Sequence, residues 1–227
     1  MALILQIETA TTSCSVALSR DGNTIAVKEL NERNAHASSV TLFIEDVMKA
    51  GNYSMKDLDA VSVSMGPGSY TGLRIGVSTA KGLCYALDIP LISVNTLTSM
   101  VSKMQEQYQT REVLFCPMID ARRMEVYTAV FDKAVNALQP VEAKIIDSDS
   151  FAELLDQNIV VFFGDGAPKC KAVLGANSNA VFVDDFINSA ADMSKLAFEK
   201  FGQQQFEDVA YFEPYYLKDF IAGGKGL

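Results

Sequence analysis

The chain has 227 residues, 49% of them hydrophobic, and its 28 acidic residues outnumber 19 basic ones, so its formal net charge is −9. An acidic surface of this kind repels polyphosphate and argues against independent binding to tRNA or DNA. The single histidine and the four cysteines without C-x-x-C spacing exclude the common metal-ligand patterns. No stretch approaches the roughly 20 apolar residues that span a bilayer, so we expect a cytoplasmic protein without a membrane segment.

The first half of the chain predicts three strands followed by alternating helices and strands. Apolar residues at i, i+3, i+4, i+7 and i+8 from Val40 predict an amphipathic helix that ends at Gly51, and Pro90 ends a second, longer helix. The predicted strands cover 3–8, 13–20, 24–30, 60–65 and 91–94, and the later helices cover 70–87 and 96–107.

The second half begins in the same way. Its predicted strands cover 113–120, 124–131, 141–146, 159–163 and 181–183, and its helices cover 150–156 and 190–201, with a weaker helix between the last two strands. Three strands at the start of each half indicate a duplicated α/β unit in which helices cover mixed sheets. We expect one lobe in 1–106 and a second, more acidic lobe in 107–227, whose C-terminal segment returns to the first.

Two turns are candidates for anion binding. The Glu-Thr-Ala-Thr-Thr-Ser turn places the hydroxyls of Thr9 and Thr11 between the first two strands, although such a turn also forms its own side-chain hydrogen bonds. The Gly-Pro-Gly-Ser turn joins a strand to a helix through Gly68 and Ser69, and glycines before a helix N-terminus favour an anion. The spacing is not that of a Walker A loop, and Ser69 or Thr71 is equally suited to capping the helix.

Small residues recur every four positions on the helix that follows, at Gly72, Gly76 and Ala80, with Ile75 and Thr79 beside them. A glycine inside a helix costs about 1 kcal/mol relative to alanine, so a stripe of such residues indicates close packing. The stripe faces either this protein's own sheet and first helix or a helix of another chain.

The second lobe carries Asp-Ala-Arg-Arg-Met-Glu at 120–125. Arg122 and Arg123 stand where a phosphate-binding lobe would have glycine, and the ordinary interpretation is an ion pair with the acidic residues across the turn. Gly164-Asp165-Gly166 is a weak match to an adenosine-binding turn. Together with the Thr-rich first turn, it favours an alternative function, a stand-alone small-molecule kinase or ATPase.

His36 is the only histidine of the chain, so it cannot form a zinc site by itself. The sequence also has no G-x-S-x-G turn to supply a nucleophile for it. We therefore expect His36 to be a solvated residue at the start of the first helix.

Four segments resemble the TsaB family, also called YeaZ, and the resemblance runs over nearly the whole chain. They are Ile-Leu-Gln-Ile-Glu-Thr-Ala-Thr at 4–11, Gly-Pro-Gly-Ser-Tyr-Thr-Gly-Leu-Arg-Ile-Gly at 66–76, Asp-Ala-Arg-Arg-Met-Glu-Val-Tyr at 120–127 and Glu-Pro-Tyr-Tyr-Leu-Lys at 213–218. The resemblance implies an α/β fold of the actin-like ATPase class (ASKHA, ribonuclease H-like), with duplicated βββαβα lobes and mixed sheets. In that class the turn between the first two strands holds metal and phosphate.

The resemblance also implies a scaffold function. Members of the family work with the catalytic subunit TsaD and the ATPase TsaE to transfer threonylcarbamoyl from threonylcarbamoyl-AMP to N6 of the adenosine next to the anticodon in tRNA. TsaD carries a metal-binding H-x-x-x-H, and the equivalent positions here are about Thr96 and Met100, which cannot replace imidazole ligands. We expect no catalytic residue, no metal and no cofactor of the chain's own, and contact with tRNA only through the partner.

The resemblance places the contact with TsaD, or with a second copy in a homodimer, on the helices of the first lobe. The implied interface residues are Val40, Phe43, Val47, Gly72, Ile75, Gly76, Thr79 and Ala80. A further expectation is ATP or ADP at the interface with TsaD. The candidate nucleotide or anion contacts are Thr9, Thr11, Gly68, Ser69, Arg74 and Lys81.

Overall fold

The computed structural model describes residues 1–32 and 36–218. The strands of the first half are β1 (Leu3–Glu8), β2 (Ser13–Arg20), β3 (Asn23–Asn31), β4 (Ala60–Gly66) and β5 (Leu91–Asn95), and its helices are α1 (His36–Gly51), α2 (Tyr70–Leu87) and α3 (Thr96–Gln105). Local chemistry sets the ends of α2. The Ser69 hydroxyl accepts from the Gly72 amide at its start, and Asp88 ends it in the left-handed conformation, two residues before Pro90.

The strands of the second half are β6 (Leu114–Asp120), β7 (Glu125–Thr128), β8 (Glu142–Ile145), β9 (Val160–Phe163) and β10 (Ala180–Val183), and its helices are α4 (Ala152–Gln157), α5 (Ala167–Leu174) and α6 (Ser194–Gly202). The predicted extension of β7 to 131 is wrong, because the Val130 carbonyl accepts from the Leu138 amide and pairing resumes only as isolated bridges from Phe131 to Phe115 and to Ala137. Within the described ranges, none of the helices has the length and hydropathy needed to cross a membrane.

The two five-stranded sheets have the same strand order, β3-β2-β1-β4-β5 and β8-β7-β6-β9-β10. In each half the first strand pairs antiparallel with the second and parallel with the fourth. The duplicated α/β architecture with mixed sheets is therefore confirmed. The β1–β2 turn after Glu8 and the β6–β7 turn after Asp120 occupy equivalent positions in the two halves.

Two helices pack on the sheet of the other half. Met100 of α3 is buried in one cluster with Phe115 of the second sheet. Conversely, Met193 just before α6 and Ala197 in α6 are buried in one cluster with Ile4 of the first sheet. The boundary predicted after residue 106 lies just after the end of α3. Each half therefore contributes one helix that packs on the sheet of the other half.

Residues 203–218 follow α6 without a further helix or strand, and we call them the C-terminal strap. Glu207 pairs with Leu91 at the free edge of β5, which brings the strap onto the first sheet. At its other end, Lys218 forms an ion pair with Glu125 of β7, in the second sheet. The strap thus links both halves on the side of the molecule where α2 begins.

Candidate functional site

The small-residue stripe of α2 and the preceding turn pack against the β1–β2 turn of the same chain. A Cβ on Gly68 would lie 2.3 Å from the carbonyl oxygen of Ala10, and a Cβ on Gly72 would lie 2.1 Å from that of Thr9. A Cβ on Gly76 would lie 2.2 Å from Thr9 Oγ1. The glycines are present because the backbone of the turn approaches the helix this closely. Of the two alternatives left open by the sequence, packing within the chain is the one observed.

This packing corrects most of the predicted partner interface. Gly72, Gly76 and Ala80 are buried in the monomer. The three predicted residues of α1 are also buried, and they belong to the core between α1 and the first sheet: Val40, Phe43 and Val47. A periodic apolar stripe shows which side of a helix is covered, and here the cover is the protein's own sheet.

The exposed sides of α1 and α2 are the remaining candidate for a partner surface. Ile75 and Thr79 are half-buried and border it. Ile75 helps to line a groove of about 490 Å³ on α2, whose lining residues are Tyr70, Thr71, Arg74, Ile75 and Ser78. Each helix also exposes a large apolar side chain. On α1 this is Leu42, with 58% of its surface exposed, and on α2 it is Tyr85, with 86% exposed. We call this set the outer face of α1 and α2.

Internal hydrogen bonds occupy most of the predicted anion contacts. Thr9 Oγ1 donates to the Gly72 carbonyl at 2.8 Å, and Thr11 Oγ1 accepts from the Ser13 amide. Ser69 caps α2, and its own amide donates to the Ala10 carbonyl at 2.6 Å. An anion at this turn would therefore meet carbonyl oxygens at short range. These contacts disfavour an anion at the two turns in this conformation, and nucleotide binding in a complex stays a prediction.

The two predicted cations have different environments. Lys81 Nζ donates to the strap carbonyls of Ala210 at 3.2 Å and Phe212 at 3.0 Å, so its ammonium group holds the strap. Arg74 is exposed and lies 5.4 Å from the ring centre of Tyr70, which in turn packs on Tyr216 of the strap at 4.7 Å. Of the predicted nucleotide contacts, only Arg74 presents its charge to solvent.

His36 is buried rather than solvated, with 7% of its surface exposed. Its Nε2 donates to the carbonyl of Thr11 at 2.9 Å. The expectation of a solvated helix-start histidine was wrong because α1 begins directly against the β1–β2 turn, which a sequence pattern cannot show. The imidazole is a structural link between α1 and that turn.

Glu8, at the end of β1, is fully buried. Burial raises the pKa of its carboxyl from 4.5 to about 7, and hydrogen bonds from the Ala10 amide and the Ser64 hydroxyl to Oε1 offset this only in part. Oε2 has no hydrogen-bond partner in the described part of the chain. The carboxyl is therefore partly protonated at neutral pH, a state that no sequence signal indicated.

Titratable side chains elsewhere do not assemble into a metal site within the described ranges, where no group of three or more His, Cys, Asp or Glu is close enough to hold an ion. Thr96 and Met100, where the resemblance implies that histidine ligands are missing, are buried in α3. All four cysteines are buried free thiols, and burial raises their pKa above its usual range.

The predicted ion pair of the β6–β7 turn is made by lysines instead of arginines. Asp120 pairs with Lys169 of α5, and Glu125 pairs with Lys218 of the strap. Arg122 and Arg123 are both exposed. Proximity in the sequence favoured the arginines as the ion-pair partners, but the partners are lysines from distant segments of the chain.

Comparisons with known proteins agree with this architecture. The family model described as "TsaD: tRNA N6-adenosine threonylcarbamoyltransferase" matches residues 28–218. The tRNA threonylcarbamoyladenosine biosynthesis protein TsaB of Escherichia coli (strain K12) is 33% identical over 98% of this chain and 97% of its own. The chain belongs to the TsaB family. TsaB of Bacillus subtilis (strain 168) is 29% identical over 95% of this chain and 93% of its own.

A solved structure has the same fold. The structure of YeaZ from Pseudomonas aeruginosa is 22% identical, covers 96% of this chain and 100% of its own, and superposes with a TM-score of 0.81. The resemblance drawn from the four sequence segments is confirmed for the family by the TsaB relative of Escherichia coli and for the duplicated fold by this structure.

Proposed function

We propose that this protein is a non-catalytic subunit of tRNA threonylcarbamoyladenosine synthesis that holds a TsaD-type catalytic subunit and works with a TsaE-type ATPase. The observation that carries the proposal is the near full-length match to a protein named for this biosynthesis. The partner would transfer threonylcarbamoyl from threonylcarbamoyl-AMP to N6 of the adenosine next to the anticodon. A chain with a net charge of −9 suits a complex in which the partner contacts the tRNA.

The closed first turn supports the non-catalytic part of this proposal. In the actin-like class this turn holds metal and phosphate, but here Gly68, Gly72 and Gly76 bring α2 into contact with it. Two amides that an anion at the helix start would need are already engaged, since the Ser69 amide donates to the Ala10 carbonyl and the Gly72 amide donates to the Ser69 hydroxyl. The stand-alone kinase alternative depends on nucleotide binding at this turn, so the geometry favours the scaffold.

The outer face of α1 and α2 is the proposed docking surface. Both helices cover the same side of the first sheet, so their exposed sides face the same direction. A family model named for the transferase matches this chain from residue 28 onward, which indicates that the partner has an equivalent lobe. Related chains can pair through equivalent helices with local two-fold symmetry. A homodimer of the free protein would use the same surface.

Reconstitution tests the proposed function. We expect tRNA to gain threonylcarbamoyladenosine when this protein is mixed with the TsaD-type subunit, the TsaE-type ATPase and the adenylate-forming enzyme. We expect the product to be lost when this protein alone is omitted, because the catalytic subunit then lacks its scaffold. Full product formation without this protein would refute the proposal.

Ser78→Arg tests the docking surface. Ser78 is exposed and lines the groove of α2, so a long charged side chain there should block a partner helix without disturbing the core. We expect at least about tenfold weaker association with the TsaD-type subunit, measured by calorimetry and co-elution, which corresponds to about 1.4 kcal/mol. Ser148→Arg, the same change at an exposed serine of the second half, is the control. Unchanged affinity of Ser78→Arg would show that the partner binds elsewhere.

A further inference from the structure

The β6–β7 turn holds two arginines in a backbone conformation that other residues adopt more easily. Arg122 and Arg123 have φ values of 72° and 49°, both in the left-handed region. The turn is closed by a hydrogen bond from the Glu125 amide to the Arg122 carbonyl at 3.1 Å, and Asp120 Oδ1 accepts from the Arg122 amide at 3.0 Å. The loop consists of residues 122–124, because the Ala121 amide still donates to the Glu125 carbonyl, and positive φ at its first two positions suits Gly, Asn or Asp better than arginine. The fold therefore does not require arginine at either position.

The carboxylates next to this turn are already neutralised by lysines. Lys169 pairs with Asp120 and also donates to the Glu125 carbonyl at 2.6 Å, while Lys218 pairs with the Glu125 carboxylate. Within the residues that the structure describes, neither arginine guanidinium forms an ion pair. A third carboxylate, Asp165, accepts from the Asp120 amide.

The β6–β7 turn consequently carries a local excess of positive charge, although the second half of the chain as a whole is acidic. The turn and the groups that contact it carry four cations, the two arginines and the two lysines, against three carboxylates. Residues 111–227 as a whole contain 18 acidic and 11 basic residues, a balance of 11 − 18 = −7. A solvated arginine pair without carboxylate partners in such a sequence calls for an anionic ligand from outside the chain.

The internal duplication explains why this turn is open while its counterpart is closed. At the β1–β2 turn, the glycines allow α2 and its preceding loop to lie directly against the turn and cover it. At the β6–β7 turn, Gly166 supports the base instead: a Cβ there would lie 2.9 Å from the carbonyl carbon of Ile119 and 3.0 Å from the Asp120 amide. The tip of the turn, with both arginines, stays exposed.

We propose that the β6–β7 turn binds a phosphate group through the side chains of Arg122 and Arg123. Guanidinium groups match phosphate oxygens with paired, charge-assisted hydrogen bonds, and they are less strongly hydrated than lysine ammonium groups. The ligand class is a phosphate ester, the polyphosphate of a nucleotide, and the backbone of an RNA is the alternative source of phosphate that the test separates from it. The site lies on the second sheet and does not depend on the docking surface of α1 and α2.

Binding to the isolated full-length chain tests this site. Wild-type protein, Arg122→Gln/Arg123→Gln and the control Arg111→Gln, which alters another exposed arginine, are titrated calorimetrically at low salt with pyrophosphate, ATP without magnesium, and a short single-stranded RNA. We expect saturable binding by the wild type and the control, and at least about tenfold weaker binding by the double variant. Absence of saturable binding of all three ligands to the wild type would overturn the proposal, as would equal binding by the double variant.

The three ligands also separate the two sources of phosphate. Equal affinity for pyrophosphate and ATP, with weaker RNA binding, would identify a polyphosphate site. Tighter binding of RNA with a steep salt dependence would identify a backbone contact.

A second variant separates ligand binding from folding. Arg122→Asn/Arg123→Gly places residues that adopt positive φ with less strain, so we expect a higher melting temperature together with loss of phosphate binding. Retention of binding in this variant would overturn the assignment to the arginine side chains.

Discussion

Gly72→Ala is expected to lower the free energy of unfolding by about 3 kcal/mol, because its new Cβ would lie 2.1 Å from the carbonyl oxygen of Thr9. A backbone atom of a buried turn cannot move aside as the end of a flexible side chain can. Relief requires α2 to shift away from the turn, which would also strain the contact of Gly68 with Ala10. The measurement is urea denaturation followed by circular dichroism.

Gly82→Ala is the matched control on the same helix. A Cβ at Gly82 meets nothing within 4 Å, so only the gain in helix propensity remains, and we expect stabilisation by about 0.5 to 1 kcal/mol. Gly76→Ala gives a further check, since its Cβ would meet Thr9 Oγ1 at 2.2 Å and Thr9→Ala should partly rescue it. Equal stability of Gly72→Ala and Gly82→Ala would show that α2 does not press on the β1–β2 turn.

Glu8→Gln is expected to remove most of the loss of stability that the wild type suffers between pH 4.5 and about 7. The pKa of Glu8 is raised by burial, so the folded state holds a proton that the unfolded state has released. The contribution of this group is fully present below pH 4.5 and is lost as pH rises through about 7. The shift corresponds to roughly 3 kcal/mol.

The glutamine should match the wild type at pH 4.5 and exceed it by roughly 3 kcal/mol at pH 8. Its side-chain oxygen can keep the hydrogen bonds from the Ala10 amide and the Ser64 hydroxyl. Burial also raises the pKa of Asp192, to about 6, so a smaller slope of the same sign remains in the variant. Urea denaturation across this pH range is the measurement, with Glu45→Gln on the exposed side of α1 as the control. A wild-type slope in Glu8→Gln would contradict the burial of this carboxyl as the cause.

Both predictions differ from what the sequence alone suggested for the same residues. The small-residue stripe was expected on a partner interface, where a bulky substitution would spare the folded monomer. In the structure, Gly72 and Gly76 are part of the monomer's own packing, so changes there report on folding. The outer face of the same helix, with Ser78, is where a change should affect a partner alone.

The sequence by itself determined the family, the order of strands and helices and the duplication of the chain. These properties depend on local patterns: alternation in strands, the i, i+4 spacing from Val40 and the motif at 66–76. Each is carried by residues close together along the chain, so no knowledge of the packing was needed.

Only the tertiary structure decided which surface each motif faces and which charges pair. A periodic stripe marks a covered side of a helix but not the segment that covers it, so Val40 and Gly76 were assigned to the wrong neighbour. The partners of Asp120 and Glu125 lie 49 and 93 residues away, at Lys169 and Lys218. Ion pairs form between groups that folding brings together. Because folding brings the two lysines to these carboxylates, the arginines next to them are left to bind a ligand.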